Sequence, residues 1–397
     1  MPGFELFDEK EKEQVNQVME TGVLMRYGWN ALRGGQWKAK EMEAAICKQT
    51  GARYALLLAN GTAALTTALA ALGIGAGDEV IMPTFTFVAS FESIIAAGAV
   101  PVLADIDDSL CLNPLAAERA ITPRTKMIIP VHMCGAQARM DELLALCEKH
   151  QLLLVEDACQ AFGASYKGKF LGTMGDAGCY SFDFNKLITC GEGGAVVSND
   201  AKVYAQADMY HDHGHDHSND DRGTEGHPFP GYNYRINELN AAVGCAQMSK
   251  LDTFLARQRQ GKAILRAALS TVPEIVFRHV PDPAGDAATF LSFFLPSQKI
   301  ATKALAAIKA AGVEGAFHWY DNNWHYIRNW RHLKNRKFAN RIASDILKSM
   351  PDYSRIKFEQ SDDLMSRCIS ITIKLGWSKE DAEQAAAKTK QAILSVF

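Results

Sequence analysis

Between residues 51 and 198, short apolar runs alternate with helical stretches, and that alternation leaves the chain few folds to choose from. The strand candidates are Tyr54–Ala59, Glu79–Met82, Val100–Ile106, Lys126–Met133, Leu152–Asp157, Gly178–Phe182 and Gly194–Ser198. Helical spacing fills the gaps at Ala63–Leu72, Phe87–Ala97, Leu115–Ile121 and Met140–His150. The continuous apolar run Leu152–Val155 is the pattern of a strand covered on both faces. Such an order predicts an α/β fold with a mainly parallel seven-stranded sheet between helical layers. In sheets of this kind ligands meet the carboxyl ends of the strands, so functional residues are expected just after each run.

The remainder of the chain reads differently. Residues 1–50 form an N-terminal arm with two helical stretches and a Gly-, Trp- and Arg-rich loop over Tyr27–Trp37. After Pro273, Pro281 and Pro283 the pattern becomes a smaller α+β unit, with strand-like Thr289–Leu295 and Ile369–Ile373 and helical Ala301–Ala311, Ala339–Met350 and Ser378–Val396. With 397 residues, two domains are expected: 1–260, large, and 261–397, small. A net charge of -3 gives no basic surplus for nucleic acid, and no apolar run is long enough to span a membrane. Nine cysteines without paired spacing, and an N-terminus lacking a basic-then-apolar leader, predict free thiols in the cytoplasm.

Five strand ends carry chemistry. After the sixth run comes Lys186, followed by the glycine-rich Gly191-Glu192-Gly193-Gly194. A partly desolvated lysine loses its proton more readily and becomes an amine nucleophile, as covalent attachment to pyridoxal phosphate requires. A surface lysine after a strand is the plainer alternative. Asn60-Gly61-Thr62-Ala63 follows the first run and opens a helix, where free N–H groups favour a phosphate; an ordinary strand-to-helix turn has the same look. Pro83-Thr84-Phe85-Thr86-Phe87 offers an aromatic for a flat ring or for the core. Glu156-Asp157 ends the fifth run. An acid there fits a partner for a pyridine nitrogen, or a helix cap, and Gln160 stands close by. His132 ends the fourth run as either a rim residue or a satisfied core histidine. The segment His211–His217 reads as a polar loop, with metal binding as the other reading.

The motifs Asn60-Gly61-Thr62-Ala63-Ala64, Glu156-Asp157-Ala158-x-Gln160, Ser181-Phe182-x-x-x-Lys186, Gly191-Glu192-Gly193-Gly194 and Gly231-Tyr232-Asn233-Tyr234-Arg235 together resemble the DegT/DnrJ/EryC/StrS sugar aminotransferases over nearly the whole length. That resemblance implies a fold-type I enzyme using pyridoxal 5'-phosphate. Lys186 would hold the cofactor covalently, Asp157 would pair with its ring nitrogen, and Phe87 would stack on the ring. Gly61, Thr62, the backbone of Ala63 and Ser181 would hold the phosphate, and Gln160 would lie against the ring oxygen. Asn233 would reach the phosphate of a second copy, which implies a homodimer with shared sites. One departure is Asp183-Phe184-Asn185, where the family commonly has a His-Pro pair.

Within the family, Val131–Gly135, Asp212–His217 and Trp319–Tyr326 resemble the branch that aminates 8-oxo-Kdo, a sugar acid, with glutamate as donor. The alternative acceptor is a nucleotide-linked keto sugar of the perosamine type. A dehydratase would carry histidine in place of Lys186, and a non-catalytic regulatory relative would not need the full motif set. A sugar carboxylate calls for a basic clamp, for which Arg26, Arg33, His215 and His318 are candidates. Tyr320, His325 and His132 are further candidates for the sugar side.

Overall fold

A computed structural model describes residues 2–219, 222–339 and 341–397. All seven expected strands form one sheet: β1 (Tyr54–Leu58), β2 (Glu79–Pro83), β3 (Val100–Ala104), β4 (Thr125–Ile128), β5 (Leu153–Asp157), then, after the hairpin β6 (Ser165–Tyr166) and β7 (Lys169–Phe170), β8 (Ala177–Ser181) and β9 (Gly194–Ser198). Their order is β1-β9-β8-β5-β4-β2-β3. The β2–β3, β2–β4, β4–β5 and β5–β8 pairs are parallel, whereas β9 is antiparallel to both β8 and β1. A strand flanked by two antiparallel partners leaves β1 and β8 pointing the same way. The carboxyl ends of β1, β2, β4, β5 and β8 therefore share one edge of the sheet.

β4 stops at Ile128, earlier than the apolar run suggests. Pro130 has no N–H to give a ladder, and only an isolated bridge from Val131 to Asp157 continues the pairing. The second sheet has the order β10-β11-β13-β12, with β10 (Val276–Phe277), β11 (Phe290–Phe294), β12 (Ala316–Phe317) and β13 (Cys368–Thr372), antiparallel throughout. At two residues each, β10 and β12 are too short for a periodic signal. The helix expected over Ala339–Met350 is confined to Ser344–Ser349, and Asn340 lies outside the described residues.

Leu265, Leu291, Phe293, Ile369, Ile371 and Ile393 belong to a second core, separate from the one around the large sheet. The boundary expected at 260 falls inside the helix Leu251–Leu269, which runs from one core into the other. No helix among the described residues is long and apolar enough to cross a membrane.

Candidate active site

The shared edge of the sheet gathers the expected groups. Asn60 caps the helix Gly61–Ala71 by accepting the Ala63 N–H on Oδ1 at 2.8 Å. This leaves the N–H groups of Gly61 and Thr62 without a hydrogen bond among the described residues. They face the mouth of an eleven-residue helix, whose dipole favours an anion there. A Cβ on Gly61 would come within 2.8 Å of the Ser181 Cβ and 3.2 Å of the Cys159 Sγ, so glycine lets the start of this helix approach the end of β8 this closely. Ser181 is buried and Thr62 exposed at the same mouth.

Asp157 ends β5 and is 4% exposed. Its Oδ2 accepts from Ser90 Oγ at 2.7 Å and its Oδ1 from the Cys159 N–H at 3.2 Å. Each oxygen retains further acceptor capacity. Phe87 begins the helix Val88–Ala96 and stays 36% exposed, with its ring 5.3 Å from His325 and 6.1 Å from Trp324. The chain around it is pinned to the segment Trp319–Tyr326: the Thr86 N–H donates to His325 O and the Val88 N–H to Trp324 O, both at 2.9 Å. Trp319 completes this wall, 4.8 Å from His325 and 5.7 Å from Phe85.

Lys186 is half-buried in the turn after β8, where its N–H donates to Asp183 O and its carbonyl accepts from the Gly3 N–H of the N-terminal arm, each at 2.9 Å. Its ammonium acts on two neighbours. Burial, reinforced by Lys186, pushes the His325 imidazole down to about 4. Burial likewise raises the Cys159 thiol, against the pull of Lys186. Lys186 is thus within electrostatic reach of His325 and of Cys159, whose N–H bonds Asp157. His325 Nδ1 lies 3.1 Å from Asn322 Oδ1, an acceptor, which places the proton on Nδ1 and leaves Nε2 as an acceptor. Gln160 Oε1 accepts from the Cys134 N–H at 3.1 Å, beside the left-handed turn at Cys134.

Several sugar-side candidates are engaged elsewhere. Arg26 is 4% exposed, with Nη2 2.6 Å from Glu43 and Nη1 donating to Leu57 O. Arg33 is 1% exposed; it donates to Gly28 O and Met25 O and lies over the Trp37 ring at 3.8 Å. Both arginines close the Tyr27–Trp37 loop onto the core instead of lining the edge. His318 is held between Asp321 and Ser366 O. Tyr320 is buried under Arg328.

His132 is fully buried: Nδ1 accepts the Ala138 N–H at 3.2 Å, so Nε2 carries the proton 3.0 Å from Glu156. Of its two readings, the satisfied core histidine is the one the structure contains. A local pattern gives each residue a face, but not the direction a long side chain takes or the partner that captures it.

The histidine-rich segment is an ion-pair network. Asp212 takes two bonds from Arg222 at 2.6 and 2.8 Å, one from Arg235, and a third partner in His217 Nε2 at 3.0 Å. His217 Nδ1 meets Asp208 at 2.8 Å, and its ring stacks on Tyr27. His211 lies between Tyr27 and the Asp208 carbonyl, and His215 Nδ1 lies 2.7 Å from the Glu225 carboxylate. No set of three or more His, Cys, Asp or Glu among the described residues could hold a metal.

Burial opposes the charge on His217, but the carboxylates of Asp208 and Asp212 outweigh it and push the imidazole up to about 9. A raised folded value stabilises the protein below the ordinary 6.5, and that contribution is lost as pH climbs through about 9. In urea titrations, the advantage of the wild type over His217→Gln should be full at pH 6 and gone by about pH 10. A pH-independent difference would contradict this.

Sequence reasoning missed the hydroxyls of Thr86 and Ser90 behind Asp157, though their i, i+4 spacing was visible. It also missed the N-terminal arm, which reaches Lys186 from 183 residues away in sequence, between Gly3 and Lys186.

A family model, the DegT/DnrJ/EryC1/StrS aminotransferase family, matches residues 6–390. The GDP-perosamine synthase of Caulobacter vibrioides is 39% identical over 254 residues, which is 64% of this chain and 65% of that protein. The chain thus aligns with just under two thirds of that curated relative. Among solved structures, 3-amino-5-hydroxybenzoic acid synthase superposes with a TM-score of 0.80 at 28% identity, covering 98% of this chain and 97% of that one. DesI, solved in the presence of its TDP-sugar product, gives 0.78 at 25% identity over 97% and 90%.

Proposed function

The chain belongs to the DegT/DnrJ/EryC1/StrS aminotransferase family, and on that premise we propose that it moves an amino group from glutamate to the carbonyl of a deoxy sugar. The observation that carries this reading is one sheet edge at which Asp157 ends β5, β8 leads into the turn carrying Lys186, and the Gly61 helix mouth opens. The cofactor is pyridoxal phosphate, and the donor set fits it. Two unpartnered N–H groups, Thr62 and Ser181 suit a phosphate; the Asp157 carboxylate suits a ring nitrogen; the exposed Phe87 suits a ring face. Ala63 contributes through its position, because Asn60 already holds its N–H.

When bound, the cofactor supplies an electron sink and carries nitrogen between the two half-reactions. Lys186 Nζ is the amine that binds it and afterwards the base and acid that moves the proton at the reacting carbon. Asp157 would accept a hydrogen bond from the ring nitrogen and so keep that nitrogen protonated. Phe87, Trp324 and His325 form a wall of rings along one side of this edge. His325, held neutral, offers Nε2 as an acceptor to a sugar hydroxyl. Asn233 is exposed, with the exposed Tyr232 beside it, and we assign it to the phosphate of a second copy in a homodimer.

On the acceptor, the reading is 8-oxo-Kdo. It is supported by the resemblance of Trp319–Tyr326, the segment that packs on Phe87. Arg26 and Arg33 are already committed, so neither is the basic clamp for the sugar carboxylate. A nucleotide-linked keto sugar is the second reading, favoured by the GDP-perosamine synthase relative. A panel of 8-oxo-Kdo, GDP-linked and TDP-linked keto sugars with glutamate separates them. The expected result is amination of 8-oxo-Kdo alone; turnover of a nucleotide sugar and not of 8-oxo-Kdo would reverse the order.

A further inference from the structure

We propose that Ser90 and Thr86 are positioning residues, forming a hydroxyl relay that aims the Asp157 carboxylate at the cofactor's ring nitrogen. This rests on the reading of Asp157 given above. The relay has one direction. A carboxylate only accepts, so the single Ser90 proton goes to Asp157 Oδ2 at 2.7 Å. Ser90 Oγ then has only lone pairs left for Thr86 Oγ1, 2.6 Å away, so Thr86 is the donor to Ser90. Ser90 and Thr86 are fully buried, where each bond in such a chain strengthens the next.

The relay's position gives it a function beyond satisfying a buried acid. Ser90 lies on the helix Val88–Ala96, which begins at Phe87. The ring stacker and the support of the ring-nitrogen partner are therefore one rigid piece. The Thr86 and Val88 N–H groups bind that piece to the backbone of His325 and Trp324. Charge and stacking are set together, and both are tied to the wall facing the sugar.

The test uses Ser90→Ala, Ser90→Thr, Thr86→Val and Asp157→Asn in the full chain. Three readouts are taken: thermal midpoint of the apoprotein, cofactor dissociation constant, and the 15N shift of the ring nitrogen in labelled cofactor. Ser90→Ala should weaken cofactor binding by about 10- to 100-fold, the range for losing a hydrogen bond to a charged group. Its 15N shift should move toward that of the neutral ring. Ser90→Thr should restore both, and Thr86→Val should move both less far in the same direction. A relay that only fills space would change the midpoint and leave the 15N shift alone, which would overturn the proposal. Asp157→Asn separates the two claims. If it too leaves binding and shift unchanged, the reading of Asp157 fails and takes the relay with it. If it moves both while Ser90→Ala and Thr86→Val do not, the relay alone is wrong.

Discussion

Replacing Lys186 by alanine is expected to end turnover and covalent capture of the cofactor together. Acid–base transfer by a positioned side chain is by itself worth roughly 10²- to 10⁴-fold, and Lys186→Ala also removes the attachment amine, so a loss beyond about 10⁴-fold is expected. After borohydride reduction, mass spectrometry of the wild type should find the cofactor on the peptide carrying Lys186. The variant should carry none while still folding, because Lys186 is half-buried and its own ties to the turn and to Gly3 are made by its backbone. Cofactor captured on a different lysine, or turnover persisting, would move the reaction centre away from the edge of β8. His325 offers an internal check. Its imidazole is held low partly by the Lys186 ammonium, so in Lys186→Ala it should titrate nearer the ordinary histidine value. Proton NMR of the ring reads that shift directly.

The largest loss of stability is expected at Glu156, the neighbour of Asp157 on β5. Glu156 has no exposure; it accepts from the N–H groups of Gly172, Met174 and Gly175 at 2.8, 2.6 and 2.9 Å and lies 3.0 Å from His132. Glu156→Ala strands all four donors in the core. Removing one member of such a buried network costs about 3–5 kcal/mol. The urea midpoint should fall accordingly, while cofactor affinity of the folded fraction stays near that of the wild type. A loss below about 1 kcal/mol would mean that water reaches these groups. The adjacent pair Glu156-Asp157 therefore divides its work by strand alternation: one carboxylate staples the 172–175 loop, and the other faces the cofactor edge.

That division shows how far the sequence could be read. The run Leu152–Asp157 announced a buried strand with acids at its end, and the alternation of runs placed Asp157, Ser181, Gly61 and Lys186 on one edge. Such facts follow from backbone geometry: period two in strands, helices between them, and ligands at carboxyl ends. They are local, so sequence alone determined them, and the motif set tied them to one family. Residue types with long reach were not decided in this way. Arg26, Arg33, His318 and His132 had the right charges for a sugar acid, yet each is held by a partner from another element: Glu43, Glu238, Ser366 and Glu156.

The tertiary structure alone set the wall over this edge, because Phe87 and His325, more than two hundred residues apart in sequence, meet only where the segment Trp319–Tyr326 packs on the start of the helix Val88–Ala96. It also set the antiparallel turn of β9 and the hydroxyl support behind Asp157. A side chain's partner in a folded core is fixed by the sum of packing contacts across the chain, and no window of sequence contains that sum.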